Sequence, residues 1–161
     1  MGLALAAGLA GEWKATAQYV PPAPEQPLPF SHQQHLAMGP DCATCHAMPE
    51  PGDRATLPPT ATCMACHFQV GATSPAMQQL AESDRKGEAI PWKRVYQLPD
   101  FVYFSHKQHV TSAELDCQVC HGAVREMAQM QKVKEISMAS CLDCHRERRA
   151  PVGCEDCHEP L

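Results

Sequence analysis

One stretch of the chain carries apolar residues at helical spacing between clear start and stop signals. Ser74 and Pro75 are typical of a helix start, with the serine as cap and the proline in the first turn. Gly87 is typical of a helix end. The apolar positions between them are Ala76, Met77, Leu80 and Ala81. The pattern predicts a helix over this stretch, and a second helix is predicted from about 123 to 133.

Proline interrupts much of the remaining chain. Residues 19–29 contain five prolines, which predicts an extended, polyproline-like strap without internal hydrogen bonds. With 15 Pro, 9 Gly and only 6% aromatic residues among 161, the chain is poor in side chains that build an ordinary core. Such a chain has difficulty offsetting its conformational entropy, so something besides side chains must fill the interior.

All ten cysteines belong to five copies of one motif, Cys-x-x-Cys-His, and none is left over. The motifs are Cys42/Cys45/His46, Cys63/Cys66/His67, Cys117/Cys120/His121, Cys141/Cys144/His145 and Cys154/Cys157/His158. Two thiols at this spacing lie on one helical turn and can reach both vinyl groups of one porphyrin, while the next residue becomes the proximal ligand of the iron. The motifs therefore predict five covalently bound haems c.

Three other interpretations of the cysteines explain less. A disulfide framework needs no histidine after every second cysteine. Zinc needs no fixed Cys-Cys-His register in every copy, and a redox dithiol needs a single copy. With haem as packing material, we expect short helices at the motifs and long loops wrapped around a haem stack. Segment 92–104, which holds most of the aromatic residues, is expected to pack on a haem face or on a partner.

The four histidines outside the motifs come in two pairs, each within the phrase Phe-Ser-His-x-Gln-His. They are His32, His35, His106 and His109. Because residues three apart project from one face of a helical turn, the two imidazoles of a pair can reach two different haems. All four are predicted to be distal axial ligands.

Four distal histidines for five haems leave one iron with another sixth ligand or with an open position. Methionine is the expected substitute, because a His/Met pair raises the reduction potential relative to two histidines. Met138, in a predicted loop leading into Cys141, is favoured. The other candidates are Met38, Met48, Met64, Met77, Met127 and Met130.

The chain is organised as an imperfect duplication. Residues 1–29 form an apolar N-terminal segment and the proline-rich strap, and 30–67 form a first dihaem module. Residues 68–100 are a helical and aromatic spacer, and 101–161 form a second module with three haems.

Residues 1–11 are apolar but lack the basic start of a full signal peptide. They are shorter than the roughly 20 residues that span a bilayer. We expect them to pack against a membrane, a partner subunit or a neighbouring copy; a signal-peptide remnant and the end of a longer anchor are the alternatives. Because haem c is attached outside the cytoplasmic membrane in bacteria, the predicted location is the periplasm, at the outer face of that membrane.

The formal net charge is −5 with neutral histidines, and haem propionates would add negative charge, which argues against nucleic-acid binding. The C-terminal third is locally basic, with Lys132, Lys134, Arg146, Arg148 and Arg149. These cations are expected to pair with propionates. A docking patch for an acidic redox partner is the alternative.

The phrase Phe-x-His-x-x-His ahead of closely spaced Cys-x-x-Cys-His motifs resembles the class III cytochromes, the c3 and c7 group. This resemblance implies a c7-like tandem multihaem fold with little regular secondary structure. It also implies that the first histidine of each phrase ligates the haem just downstream, and that His35 and His109 serve later haems. The pairs so implied are His32 with His46 and His106 with His121.

A longer stretch, over roughly 28–158, is similar to the pentahaem subunit of alternative complex III. The similarity rests on Leu98 to Val110, on Cys117 to Gly122 and on Met138 ahead of Cys141 to Arg146. It implies a subunit of a membrane complex that oxidises quinol. The implied partners are an iron–sulfur subunit, integral membrane subunits and a downstream cytochrome or oxidase. That family usually has a full N-terminal transmembrane helix where this chain has a short apolar stretch.

The leading hypothesis is thus an electron carrier without catalytic residues of its own. One alternative is a self-assembling multihaem cytochrome that forms an extracellular electron-conducting filament. Another is a multihaem reductase, which needs an open iron with acid–base groups beside it. The sequence has no Cys-x-x-Cys-Lys variant and no histidine left over to donate a proton.

Overall fold

The computed structural model describes residues 21–71 and 73–159. The predicted membrane-facing segment 1–11 lies outside the described residues, as does the beginning of the strap. The α-helices are α1 His32–Ala37, α2 Cys42–Cys45, α3 Thr60–His67, α4 Pro75–Lys86, α5 Gln118–His121 and α6 Met138–Arg148. A π-helical turn spans Lys107–Ser112, and 3-10 turns span Val124–Glu126 and Cys154–Asp156.

Short helices and long connecting loops make up the described part of the chain, which contains no β-strand. Each Cys-x-x-Cys-His motif overlaps a helical segment. The first four overlap α2, α3, α5 and α6, and the fifth overlaps the last 3-10 turn. The predicted architecture of short helices at the motifs is confirmed.

Helix α4 forms where the sequence predicted it. Ser74 Oγ accepts a hydrogen bond from the backbone N–H of Met77 at 3.2 Å, which satisfies one of the free donors of the first turn. At the other end Gly87 adopts φ +68°, the left-handed conformation that commonly ends a helix. Leu80, on the inner face, is buried.

The predicted helix from 123 to 133 is wrong. Gly122 follows α5 with φ +76°, and only the 3-10 turn Val124–Glu126 comes after it. A β-carbon on Gly122 would collide with Val133 Cγ2. The chain therefore folds back on itself here, and a continuous helix would carry Val133 away from Gly122.

Tertiary hydrogen bonds replace helical ones in the same segment. The backbone N–H of Gln33, in α1, donates to Met127 O at 3.0 Å. The N–H groups of Val133 and Lys134 donate to Tyr96 Oη at 3.1 and 3.3 Å. This segment thereby joins the first histidine phrase to the aromatic spacer.

The side-chain core is small, as the composition predicts. The buried apolar residues of the described ranges are Leu28, Leu80 and Ile90. Cys63, Met64, Met77 and Trp92 are among the partly buried residues packed around them, at the place where α3 meets α4.

The strap is fixed to the spacer by a reciprocal pair of hydrogen bonds. Gln26 Nε2 donates to Lys93 O, and Lys93 N–H donates to Gln26 Oε1, both at 2.9 Å. Together with the buried Leu28 next to it, this pair places the start of the first histidine phrase against the body of the protein.

Candidate haem-binding sites

The serine of each histidine phrase organises the turn that carries the two histidines. Ser31 Oγ accepts from the N–H of Gln34 at 3.2 Å, and Ser105 Oγ accepts from the N–H of Gln108 at 3.3 Å. Such caps stabilise helix starts. The first phrase continues as α1, whereas the second continues as the π-helical turn.

The phenylalanine of each phrase holds both imidazoles. Phe30 stacks on His35 at 4.3 Å between ring centroids and meets His32 edge-on at 4.9 Å. Phe104 does the same for the second pair, with identical centroid distances of 4.3 and 4.9 Å. The two phrases therefore build the same three-ring cluster, which fixes the side-chain rotamers of potential ligands.

The structure places three of the outer histidines opposite motif histidines, with ring planes at 17°, 53° and 38° to each other. The ring centroids are 6.3 Å apart for His32 and His46, 6.0 Å for His35 and His67, and 6.0 Å for His109 and His145. A metal–imidazole bond of about 2 Å on each side of one ion puts two ring centres roughly 6 Å apart. These separations fit pairs of axial ligands.

The fourth outer histidine lies near the third motif. Burial lowers the pKa of His121, and the charges of His106 and His46 lower it further. His121 also meets the ring of Tyr96 edge-on at 4.7 Å. Burial therefore favours the neutral form of His121, which lies close to His106 and to His46 of the first motif.

Backbone carbonyls orient seven of the nine imidazoles through Nδ1. The acceptors are Ser31 O for His35, Thr56 O for His46, Val70 O for His67, Asp53 O for His106, Ser105 O for His109, Pro151 O for His145 and Phe101 O for His158. Because a carbonyl oxygen only accepts, Nδ1 carries the proton and Nε2 keeps the lone pair that binds a metal.

His32 differs from these seven. Its Nδ1 is buried and has no hydrogen-bond partner among the described residues. Burial lowers the pKa of His32, and the nearby His46 and His35 lower it further. Desolvation thus favours the neutral form of His32, in which an imidazole can act as a ligand.

We number the sites 1 to 5 by their motif histidines, which are His46, His67, His121, His145 and His158. None of the ten cysteines forms a disulfide. The His and Cys side chains of the described residues do not cluster in threes around a point that could hold a bare metal ion. Paired imidazoles beside paired thiols are the donor set that a haem c requires, and the residues present fit that group.

The polypeptide covers the ten thiols to different degrees. Seven are half-buried and three are exposed, namely Cys66, Cys141 and Cys154. Cys66, which the sequence predicts to attach the haem of site 2, therefore does not lie in a pocket built by side chains. The reason is that the small core reaches Cys63 and Met64 in the middle of α3 but leaves Cys66, near the end of that helix, outside. Attachment through Cys66 stays a prediction, in which the haem itself would cover the thiol.

The thiols place sites 1, 2 and 3 side by side. Burial raises the pKa of Cys63, in site 2, and the charge of Cys45, in site 1, raises it further. Burial likewise raises the pKa of Cys117, in site 3, and Cys42, in site 1, adds to this through its charge and a hydrogen bond. Site 1 therefore lies between sites 2 and 3.

The same effects connect sites 3, 4 and 5. Burial raises the pKa of Cys120, in site 3, and the charge of Cys144, in site 4, raises it further. Burial also raises the pKa of Cys141, in site 4, while a hydrogen bond from Ser140 lowers it. The charge of Cys157, in site 5, raises this pKa further. Proximity of cysteines thus links the sites in pairs, 2 with 1, 1 with 3, 3 with 4 and 4 with 5. We write this linkage as 2–1–3–4–5, which differs from the order of the motifs in the sequence.

A cleft of about 380 Å³ opens at site 4. His109 and His145 line it together with Cys144, Leu115 and Arg148. Its volume lies within the range of cofactor pockets. Arg148, one of the predicted propionate partners, is at its edge.

Site 5 has no outer histidine of its own. The ring of Phe101 lies 5.7 Å from that of His158, and the favoured sixth ligand, Met138, is 65% exposed. The sequence predicts a loop at Met138, and this prediction is wrong. Met138 is the first residue of α6, because Ser137 and Ser140 form a capping box directly before and within that turn.

The sequence predicts packing on a haem or a partner for segment 92–104, which includes Tyr96, but not the particular contacts of Tyr96 or the backbone acceptors that shape the sites. Tyr96 contacts His121 and holds the backbone beyond site 3. The carbonyls of Asp53 and Thr56, in the loop after site 1, orient His106 and His46. Backbone acceptors carry no side-chain signature, so no sequence pattern could have identified them.

Residues 102–159, which contain sites 3 to 5, match the family model described as cytochrome c7 and related cytochrome c. The match covers little more than a third of the chain, and there the short helices, the loops and the repeated motifs are similar to those of c7-like multihaem c-type cytochromes, which transport electrons. The predicted resemblance to the c7 group of class III cytochromes is confirmed for this part of the chain.

A curated relative gives a second comparison. Over 99 residues the chain is 37% identical to the "Menaquinone reductase, multiheme cytochrome c subunit" of Nitratidesulfovibrio vulgaris. The matched region is 60% of this chain and 46% of the relative, so the chain spans about half the length of that protein. Separately, within the described residues no helix combines the length and hydropathy needed to cross a bilayer.

Proposed function

We propose that the chain carries five haems c and relays electrons between redox partners. Each pair of motif thiols would attach one haem, which supplies a reversible one-electron iron couple. The single observation that carries the proposal is the set of facing imidazoles at 6.0 to 6.3 Å. The proposed axial pairs are His32/His46, His35/His67, His106/His121 and His109/His145.

At site 5 we propose Met138 as the ligand opposite His158. Met138 lies one helical turn before Cys141, whose pKa responds to the charge of Cys157 in site 5. Among the other candidates, Met64 and Met77 pack on the small side-chain core, which removes two of them. A thioether ligand would give site 5 a higher potential than sites with two histidines.

The chain's own residues would keep the relay stable through oxidation and reduction. Carbonyl acceptors at Nδ1 orient seven of the nine imidazoles, and the two phenylalanine clusters restrict rotation of the four outer ones. Little rearrangement of ligands is then needed when an electron arrives or leaves. The linkage 2–1–3–4–5 provides a continuous path with sites 2 and 5 at its ends.

We propose that this relay is the periplasmic electron-transfer subunit of a membrane quinol-oxidising complex. The similarity over roughly 28–158 supports this assignment. The proposed partners are an iron–sulfur subunit, integral membrane subunits and a downstream cytochrome or oxidase. A specific observation favours a second candidate, a subunit of a quinone-reducing complex, since the relative's name specifies a menaquinone reductase.

Purification of the native protein from its host under mild detergent tests the complex. Co-purification with an iron–sulfur protein and integral membrane proteins is expected, whereas a homopolymer would indicate a filament. Assays of the purified complex then measure the rate of quinol oxidation and the rate of quinone reduction. The faster reaction shows which of the two candidate complexes contains the chain. A strong high-spin haem signal would instead favour the reductase alternative.

A further inference from the structure

The residues between the two cysteines of each motif differ in charge along the linkage 2–1–3–4–5. The pairs are Met64–Ala65 at site 2, Ala43–Thr44 at site 1, Gln118–Val119 at site 3, Leu142–Asp143 at site 4 and Glu155–Asp156 at site 5. Only the pair at site 5 is doubly acidic. At site 4 the single carboxylate is in contact with a cation, because Arg146 Nη1 lies 3.5 Å from Asp143 Oδ1.

Further carboxylates lie beside the pair at site 5. Tyr103 N–H donates to Cys157 O at 2.8 Å, and Tyr103 Oη donates to Glu159 Oε1 at 2.6 Å. His158 Nδ1 donates to the carbonyl of Phe101, which follows the exposed Asp100. These contacts bring segments 98–104 and 151–159 together on one surface.

The charged side chains within these two segments are all acidic, and Arg148 and Arg149 lie just before the second segment. Segments 98–104 and 151–159 hold Asp100, Glu155, Asp156 and Glu159 and no Lys or Arg. Asp156 caps the N–H of Gly153, whereas the side chain of Glu155 is exposed. The polypeptide itself leaves the aromatic residues among the carboxylates uncovered, with Phe101 69% and Tyr103 54% exposed. Phe101 lies beside His158, so the haem of site 5 would cover part of its ring.

The other end of the relay has a different character. Phe68 and Val70, just beyond the motif of site 2, are 61% and 63% exposed, and the residues between its cysteines are uncharged. The two ends therefore offer chemically distinct surfaces, one apolar and one acidic with aromatic residues.

We propose that site 5 is where the relay exchanges electrons with a redox protein whose docking face is rich in Lys and Arg. This inference rests on the proposed function. Accessible aromatic residues within a charged rim are typical of transient protein interfaces. A ring of one charge around an electron-transfer site steers an oppositely charged partner and raises its association rate. The exchange moves one electron and makes or breaks no bond.

The experiment uses the full haem-loaded protein and two monohaem cytochromes c of similar size, one strongly basic and one strongly acidic. Stopped-flow absorbance gives the second-order rate constant for each at increasing salt. Calorimetric titration with the zinc-porphyrin form of the basic cytochrome, which cannot accept the electron, measures binding alone. The wild-type protein should react faster with the basic cytochrome, and added salt should slow that reaction.

The matched variants are Asp100→Lys with Glu155→Lys, and as control Glu25→Lys with Glu88→Lys. Both doubles change the net charge equally, and the control residues are exposed acids outside segments 98–104 and 151–159. At low salt the first double should lower the rate with the basic cytochrome about tenfold or more, while the control should change it less than about twofold.

The docking inference is refuted if both double variants lower the rate constant with the basic cytochrome equally, or if neither lowers it. It is also refuted if the wild type reacts faster with the acidic cytochrome. The haem spectrum and reduction by dithionite, recorded for every sample, report on the relay itself. Normal haem with no preference for the basic cytochrome refutes only the docking inference. A wild-type protein without covalent haem refutes the proposed function.

Discussion

The imidazole rings of His32 and His46 face each other with their centroids 6.3 Å apart and 17° between their planes. One residue comes from the first histidine phrase and the other from the motif just downstream. The separation is that of two axial ligands on one metal ion, roughly 6 Å. His35, one turn further along α1, faces His67 instead, so a single helical turn serves two sites.

Replacement of His32 by alanine tests this arrangement. His32→Ala should leave one iron of the haem-loaded protein five-coordinate, because no other described histidine faces His46 in a stacked pair. We expect a high-spin signal for one iron in electron paramagnetic resonance, with the haem content unchanged. Gln34→Ala, an exposed position on the same helix, is the control and should stay fully low-spin. A low-spin spectrum in His32→Ala would contradict the pairing.

The serine caps give a prediction about stability. Ser31→Ala removes the acceptor for the N–H of Gln34 and should lower the free energy of unfolding by about 1 kcal/mol. Ser83→Ala, in the last turns of α4, leaves the Ser74 cap of that helix intact and should cost less. Denaturant titration of the haem-loaded proteins measures both. Equal stabilities of the two variants would show that the cap does not stabilise the first phrase.

Gly52, in the first half of the chain, lies against Lys107 of the second half. Gly39 has a similar backbone conformation without such a neighbour, so it serves as the control position. Both have positive φ, +90° and +108°, so alanine is strained at either position. A β-carbon at Gly52 would lie 2.5 Å from Lys107 Cβ, whereas nothing lies within 4 Å at Gly39. Gly52→Ala should therefore destabilise the protein by about 1–3 kcal/mol more than Gly39→Ala.

The same substitution should affect a distant ligand. Gly52 O accepts from the N–H of Lys107 at 2.9 Å, and the neighbouring Asp53 O accepts from His106 Nδ1. A shift of this loop would misalign His106, the proposed ligand at site 3. We expect Gly52→Ala to change the midpoint potential of one haem in a spectroelectrochemical titration. Identical titrations for Gly52→Ala and Gly39→Ala would argue against the coupling.

Site 5 supplies a prediction about ligand type. If Met138 completes it, Met138→Leu should abolish the near-infrared charge-transfer band of a sulfur-ligated ferric haem and lower the highest midpoint potential. Met38→Leu, at an exposed methionine beyond α1, should leave both unchanged. Persistence of the band in Met138→Leu would assign the ligand to another methionine, and absence of the band in the wild type would show that site 5 has no sulfur ligand.

The sequence alone was enough for the features that depend on local chemistry. Ser74, Pro75 and Gly87 delimit α4 because caps and left-handed turns act within a few residues. The Cys-x-x-Cys-His spacing predicts a helical turn because thiols and imidazole must face one cofactor. The two histidine phrases share the Phe, the Ser and both His and accordingly form the same aromatic cluster.

Features that depend on distant contacts were not predictable in this way. The segment after Gly122 has residues compatible with a helix, but Tyr96 and Gln33 draw its backbone into other hydrogen bonds. Helix α6 starts at Met138 because Ser137 and Ser140 form a capping box. At the level of the sequence Met138 is considered only as a ligand, and these two serines are not used as a helix start signal. The linkage 2–1–3–4–5 arises from contacts between motifs far apart in the chain, which spacing does not encode.

The central claim is that each of the five Cys-x-x-Cys-His motifs holds one covalently attached haem. Intact-protein mass spectrometry of the denatured protein, combined with a pyridine haemochrome assay, measures this directly. The account predicts a mass equal to the polypeptide plus five haem groups and the spectrum of haem bound through two thioether bonds. A mass equal to the polypeptide alone, or a different number of attached haems, would contradict it.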